Sequence, residues 1–256
     1  MKDLKQRVIT AVIGIALLLF ILIKGGIVLK TAIAIISLEA ARELYFAFKK
    51  ININLNMYSM IIGTLLLLLF SLYNISLEFS IIFVLFSSFI FTLFSDKYSL
   101  EDTAYTTFSF IYGPYLLNLL SGLENRLLYL VFIIAFSTDT FAYFAGNLFG
   151  KHKLIPKVSP NKSVEGAIGG IIGCLLISLI YFYYLGLDVN ILTVLFIIIA
   201  SISGQVGDLI ASKIKRVTGI KDYAKILPGH GGILDRFDSS ILVIPFVYIL
   251  QFVLSV

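Results

Sequence analysis

Charge is scarce in this chain. Only 14% of its 256 residues are Asp, Glu, Lys or Arg, against about 25% in an ordinary soluble domain. That scarcity excludes a conventional soluble globule. Cysteine is nearly absent as well: Cys174 stands alone in an apolar run, so no intrachain disulfide can form, and a core or lipid-facing place is its natural role. With two histidines and one cysteine, no Cys/His zinc ligand set is available. Internal repeats and low-complexity tracts are missing. The N-terminal stretch "MKDLKQRVITAVIGIALLLFILIKGG" has basic residues and then an apolar run, but no clear small-residue cleavage site. It reads as a retained first transmembrane helix and not as a signal peptide.

What is present is apolar surface. The chain is 59% hydrophobic with a mean hydropathy of +0.99, and the excess runs along the whole length. The expected fold class is therefore all-α: a polytopic integral membrane helical bundle forming one membrane domain over residues 1–256. Reading by the roughly 20 apolar residues a helix needs to cross a bilayer gives nine spans, near 8–23, 27–47, 57–74, 79–95, 105–122, 127–149, 164–186, 190–211 and 239–256. The second is the weakest, because it carries Lys30, Glu39, Arg42 and Glu43, and the fifth holds Gly113-Pro114, a place for a kink. The segments do not alternate as β-barrel strands would.

The formal charge of +5 bears on topology and not on nucleic acid. Lys2, Lys5 and Arg7 precede the first span; Lys49 and Lys50 follow the second. Lys151, Lys153, Lys157 and Lys162 follow the sixth, and Lys213, Lys215, Arg216, Lys221, Lys225 and Arg236 follow the eighth. Nine spans place all of these on one side. The positive-inside rule makes that side the cytoplasm, with the N-terminus inside. The expected location is the inner (plasma) membrane.

Two cytoplasmic stretches, 137–170 and 204–240, hold Asp139, Asp208, Asp222, Asp235 and Asp238 together with ten of the twenty basic residues. Asp139 and Asp208 fall within or at the ends of apolar spans, where a carboxylate is costly and usually functional or paired. On a helix, Gln205, Asp208 and Ser212 share a face, which Lys215 and Arg216 continue. Asp235 and Asp238 are three residues apart. Such hard oxygen donors suit Mg²⁺, commonly held by one or two carboxylates plus substrate phosphates. In "SPNKS", Ser159, Lys162 and Ser163 form a turn before the seventh helix, where hydroxyls, an ammonium and a helix N-terminus make an anion site. "PGHGG" supplies backbone that a ligand can approach closely. Acid for metal beside base for phosphate is the equipment of phosphoryl or nucleotidyl transfer.

Each feature has a plainer reading. Loop lysines can be topology signals alone. Asp235-Arg236 can be a surface ion pair. His230 between glycines reads as a turn residue, and Glu39 with Arg42 as a structural pair. Gly169-Gly170 read as close helix packing.

The arrangement as a whole goes further. Ser212-Lys213-Ile214-Lys215-Arg216, then Lys221-Asp222, Ala224, Leu227-Pro228, His230-Gly231-Gly232-Ile233 and Asp235-Arg236-Phe237-Asp238 resembles the signature of the phosphatidate cytidylyltransferases, the CDP-diacylglycerol synthases. The earlier "DTFAYFAGNLFGKHKL" and "SPNKSVEGAIGG" are similar to that family too, with Phe141 where it often has glycine and Asn147 where it often has arginine. The resemblance is detailed over 127–256, the expected catalytic half, and leaves 1–126 mainly as scaffold.

The resemblance implies that CTP and phosphatidate react to CDP-diacylglycerol and pyrophosphate in a polytopic, often dimeric helical bundle with a divalent-metal site facing the cytoplasm. It assigns Asp208, Asp235 and Asp238 to Mg²⁺ and a second metal ion. Lys213, Lys215, Arg216 and Lys221 are assigned to phosphates, with Ser159 and Lys162 closing the anion site. Ser212 and Asp139 join the substrate-binding set, and His230 with its glycines shapes the nucleotide pocket. The expected partners are CTP, phosphatidate, membrane lipid and a second copy of the chain, with no nucleic acid. Rival classes are a related CTP-using membrane enzyme (a polyprenol kinase or an ether-lipid cytidylyltransferase) and a transporter. A transporter would line several spans with polar residues and show inverted repeats; here the polar residues crowd at one end.

Overall fold

The computed structural model describes residues 2–226 and 231–254, with side chains from Ile9 onward. His230, with Leu227 to Gly229, lies outside the described residues, so its assignment has no structural counterpart. The chain forms two compact units. The first comprises residues 1–122 and 217–236, and the second residues 123–216 and 237–256. Residues 217–236, the middle of the signature, belong to the unit that holds the N-terminal helices.

In the first unit, α1 (Lys2–Lys24) and α2 (Gly26–Lys49) are followed by α3 (Met57–Tyr73), α4 (Glu78–Phe94) and α5 (Leu100–Phe110). Local chemistry sets the boundaries. Asn56 caps α3 by accepting from the Ser59 amide at 3.1 Å. Asn74 ends it in the left-handed conformation. Ser99 and Asp102 form a capping box that starts α5. The fifth span is not one helix. After α5 the chain passes through a π-helical turn (Ile111–Tyr115), a short α6 (Leu116–Asn118) and a 3₁₀ turn (Leu119–Gly122). Pro114 lies inside the π turn; it lacks an amide hydrogen and its ring crowds the preceding turn, so the ladder widens there. A Cβ on Gly113 would meet Leu44 Cδ1 at 3.3 Å and Ala40 Cβ at 3.5 Å, so the bulge seats closely against α2.

The charges that weaken the second span each find a partner within this unit. The Lys30 ammonium donates to the Ser71 carbonyl. Arg42 donates through Nε and Nη2 to Glu39, the latter at 2.7 Å. Glu43 is 1% exposed and receives two backbone amides from the returning segment. With their hydrogen bonds supplied, these groups no longer interrupt the helix, and α2 runs unbroken for 24 residues.

The second unit opens with α7 (Asn125–Phe149), continues through a hairpin of β1 (Lys153–Ile155) and β2 (Ser159–Ser163), and adds α8 (Val164–Leu185) and α9 (Ile191–Thr218). After α10 (Leu234–Phe237), α11 (Ser240–Val253) closes it. The hairpin is antiparallel, with Lys153 opposite Ser163 and Ile155 opposite Ser159. "SPNKS" is thus a strand and not a turn. It takes its partner from the basic loop ahead of it, and the helix starts only at Ser163, whose Oγ accepts from the Gly166 amide at 3.1 Å. α8 then packs against α7 through a stripe of small residues. A Cβ on Gly166 would stand 2.8 Å from the Ala142 carbonyl, one on Gly169 2.2 Å from Ala145 Cβ, and one on Gly170 2.9 Å from the Thr138 carbonyl. In lipid, where apolar burial gives no preference between tail and side chain, such close approach is what holds helices together.

Among the described residues, three helices, Asn125–Phe149, Val164–Leu185 and Ile191–Thr218, are long and apolar enough to cross a membrane. Residues 9–24, α3, α4 and α11 are shorter apolar helices; the 17 residues of α3 or α4 rise about 25 Å against a hydrocarbon core of about 30 Å. Leu93, Phe94, Tyr183 and Tyr184 are 79–85% exposed, a display that water would penalise and lipid accepts. The architecture is that of an all-α membrane protein with one small hairpin.

Gly170→Val should clash with the Thr138 carbonyl and destabilise the protein by about 1–3 kcal/mol, read as a lower thermal midpoint in detergent. Gly14→Ala, where nothing lies within 4 Å of the added carbon, should leave that midpoint in place.

Candidate active site

α9 organises the polar end of the second unit. Ser201, Gln205 and Asp208 lie on one helical face, at spacings of four and three residues. Ser201 Oγ and Thr138 Oγ1 on α7 are 2.8 Å apart. Gln205 Nε2 donates to the Ala167 carbonyl on α8 at 3.1 Å. Asp208 forms an ion pair with Lys162 on β2. The hairpin therefore has a positional purpose, since an extended strand carries the Lys162 side chain back to the end of α9. The adjoining face of α9 is bare. A Cβ on Gly207 would lie 2.6 Å from the Asp238 carbonyl, and one on Gly204 2.9 Å from Val243. Glycine at 207 lets the backbone of Asp238 and Ser239 lie directly on the helix that bears Asp208.

Asp238 and Asp139 complete the group. Ser239 Oγ donates to Asp139 Oδ2 at 3.0 Å, and the Ser239 amide donates to Asp238 Oδ1 at 2.9 Å. Part of Asp238 remains open, but most of it is crowded, and burial together with the nearby Asp208 and Asp139 carboxylates pushes its pKa up to about 7. Lys215 and the Ser239 amide pull in the opposite direction without overcoming this. Among the described residues of this unit, the structure thus gathers Asp139, Lys162, Asp208, Lys215 and Asp238. Ser212 follows Asp208 by one turn and is half-buried, whereas Lys213 and Arg216 are exposed on the last turns of α9. Ser159 is half-buried at the start of β2. The N-terminus of α8, expected as part of an anion site, is already capped by Ser163.

The remaining signature residues belong to the first unit. Asp235 is buried, and its Oδ2 accepts from the amides of Gly232 and Tyr223, both at 2.9 Å. Gly231 sits at φ +84°, a conformation that favours glycine, with space for a Cβ closed off by Asp235 itself. Beneath this loop lies a residue that the sequence pattern did not single out for the site. Glu43 accepts from the Ile233 amide through Oε1 at 2.7 Å and from the Leu234 amide through Oε2 at 2.8 Å. The available signal was its charge: a glutamate in an apolar helix demands donors, and nothing local to α2 supplies them. Lys221 is exposed in the same segment.

Among the described residues, no three His, Cys, Asp or Glu side chains form a ready-made metal cage. Mg²⁺ keeps waters and substrate oxygens and needs few carboxylates, and the hard oxygens of Asp208 and Asp238, which lie near one another, fit such an ion by their chemistry.

Membrane-length helices with lysines and carboxylates gathered beside α9 define an all-α membrane protein with a charged site. The chain belongs to the cytidylyltransferase family, whose model matches residues 5–254. It is 38% identical over 265 residues to a phosphatidate cytidylyltransferase of Staphylococcus haemolyticus, covering 96% of this chain and 98% of that protein. Proteins of the same name from Staphylococcus epidermidis and Staphylococcus aureus are 37% identical, with the same coverage of both chains.

The raised pKa of Asp238 fixes the sign of a pH effect. Below its ordinary value of 3.8 the carboxyl is protonated whether the chain is folded or not, and no cost arises. Between there and about 7 only the unfolded chain ionises, so the folded state loses ground as pH rises, and the cost is complete above 7. With chelator present, Asp238→Asn should unfold at a higher temperature than the unsubstituted protein at pH 8 and at the same temperature at pH 4.

Proposed function

We propose that this protein is a phosphatidate cytidylyltransferase, transferring the cytidylyl group of CTP to phosphatidate and releasing pyrophosphate. The family membership supports the reaction. The observation that carries the site is the clustering of Asp208 and Asp238 with Lys162 and Lys215 at the polar end of α9.

An oxygen of the phosphatidate phosphomonoester attacks the α-phosphorus of CTP in line, the new P–O bond forms, and the bond to the β-phosphate oxygen breaks. The nucleophile is already an anion, so no protein side chain need act as one. The barrier is repulsion between polyanions. Asp208 and Asp238 would hold Mg²⁺, which supplies charge neutralisation and orients phosphate oxygens. Asp235 is assigned by the resemblance to metal together with Asp208 and Asp238. Lys162 pairs with Asp208; with Mg²⁺ held at Asp208 its ammonium would serve phosphate oxygens, and Ser159 and Ser212 are hydroxyls on the same strand and the same helix as these two groups. Lys213, Arg216 and Lys221, all exposed, present charge to the incoming nucleotide. Asp139 holds Ser239 and through it the turn that carries Asp238. His230 retains its assignment to the nucleotide pocket. Nine spans, a cytoplasmic N-terminus and active-site loops, and a homodimer complete the proposal, supported by the distribution of lysine and arginine and by the family resemblance.

Purified protein given CTP labelled at the α-phosphate and phosphatidate should form labelled CDP-diacylglycerol, and chelator should abolish it. Asp208→Asn and Asp238→Asn should each lower kcat by about 10²-fold or more, the scale of losing one charge-stabilising group. Full activity in either variant would sink its metal assignment. Labelling of a polyprenol acceptor from the γ-phosphate, with no CDP-diacylglycerol, would overturn the proposed reaction in favour of a kinase.

A further inference from the structure

We propose that Glu43, on α2 of the N-terminal unit, is a positioning residue for the signature loop: its carboxylate fixes the backbone of 232–234 and thereby the orientation of Asp235. The inference rests on the reading that Asp235 serves the transfer reaction. Four observations converge on it. Glu43 is 1% exposed, so its charge has no recourse to water. Its two oxygens accept from consecutive amides, Ile233 at 2.7 Å and Leu234 at 2.8 Å, a two-point attachment that fixes direction as well as distance. Gly232 lies flush on the carboxylate, since a Cβ there would stand 2.3 Å from Oε1. Asp235 then accepts from the amide of that same Gly232 and from Tyr223.

The attachment forms a chain from α2 to the loop to Asp235. A glutamate whose only duty was to tolerate burial could be satisfied by a hydroxyl or an amide on a neighbouring helix. This one is spent on the segment with the densest family signature, 190 and 191 residues along the chain. Glutamine at this position has the same shape but only one accepting oxygen, and its NH₂ would face an N–H. Glu39, one turn earlier and paired with Arg42, is the natural control.

Hydrogen–deuterium exchange and steady-state kinetics on the full-length protein in detergent test the proposal together. Glu43→Gln should raise amide exchange in peptides covering 231–236 about 10-fold, leave α3 and α8 protected, lower kcat 10-fold or more and change the KM for phosphatidate by less than about twofold. Glu39→Gln should match the unsubstituted protein in every respect. Gly232→Ala, which displaces the carboxylate without removing it, should reproduce the Glu43→Gln pattern and serves if that variant fails to accumulate. Unchanged exchange at 231–236, or faster exchange with unchanged kcat, would overturn the proposal, as would faster exchange spread throughout the protein in both variants. Asp235→Asn separates the two readings. If it retains full activity, the metal assignment fails while the exchange result for Glu43 still stands.

Discussion

A carboxylate taken out of water must be given donors or a cation, and most of this structure can be understood as the ways in which that demand is met. Burying a charge costs several kcal/mol before any partner is counted. Asp208 meets the cost with an ammonium from a β-strand, Asp139 with a serine hydroxyl, and Asp235 and Glu43 with pairs of backbone amides. Asp238 has one amide and the Lys215 ammonium set against burial and two neighbouring carboxylates, and its pKa is pushed up to about 7. A protein that served only as a membrane scaffold would gain from replacing these groups with leucine.

Meeting the demand requires backbones to come close, and the sequence provides for this with glycine. On α8 the small residues fall at helical spacing and admit α7 to near contact. On α9, Gly204 and Gly207 admit the start of α11. Packing and chemistry therefore alternate around α9, with polar side chains on one face and bare backbone on the next. A side chain added at 207 would displace the carbonyl of Asp238 itself.

Much of this was legible from the sequence because the deciding interactions are local. The lengths of α3, α4, α7 and α8 follow from apolar runs and their caps. The face shared by Gln205 and Asp208 follows from helical periodicity once α9 is granted, and α9 extends that face seven residues further than hydropathy suggests, because Lys213, Lys215 and Arg216 are good helix formers despite their charge. The lapse at Gly113-Pro114 was visible as a proline, although its form, a π turn followed by 3₁₀ geometry, depends on what α2 leaves room for. The contacts that could not be read are those joining distant segments. Nothing in "SPNKS" reveals that a preceding basic loop will pair with it as a strand. Nor does anything around residue 43 disclose that its partners lie near residue 233. The weakest span proved to be continuous in part for the same reason, since Lys30 and Glu43 are satisfied from elsewhere in the chain while Glu39 and Arg42 satisfy each other.

The attachment of Glu43 to the loop also bears on how such a protein can be made and divided. The amides of Ile233 and Leu234 are synthesised long after α2 has left the ribosome, so the glutamate must wait in the bilayer without these donors while the intervening helices are inserted. A gene fragment encoding only the C-terminal half would carry the signature without the acceptor that orders it. Two separately expressed halves, by contrast, could restore the pairing in the membrane. The polar thread from α2 to residues 233 and 234 makes the second helix of the chain part of what orders the motif.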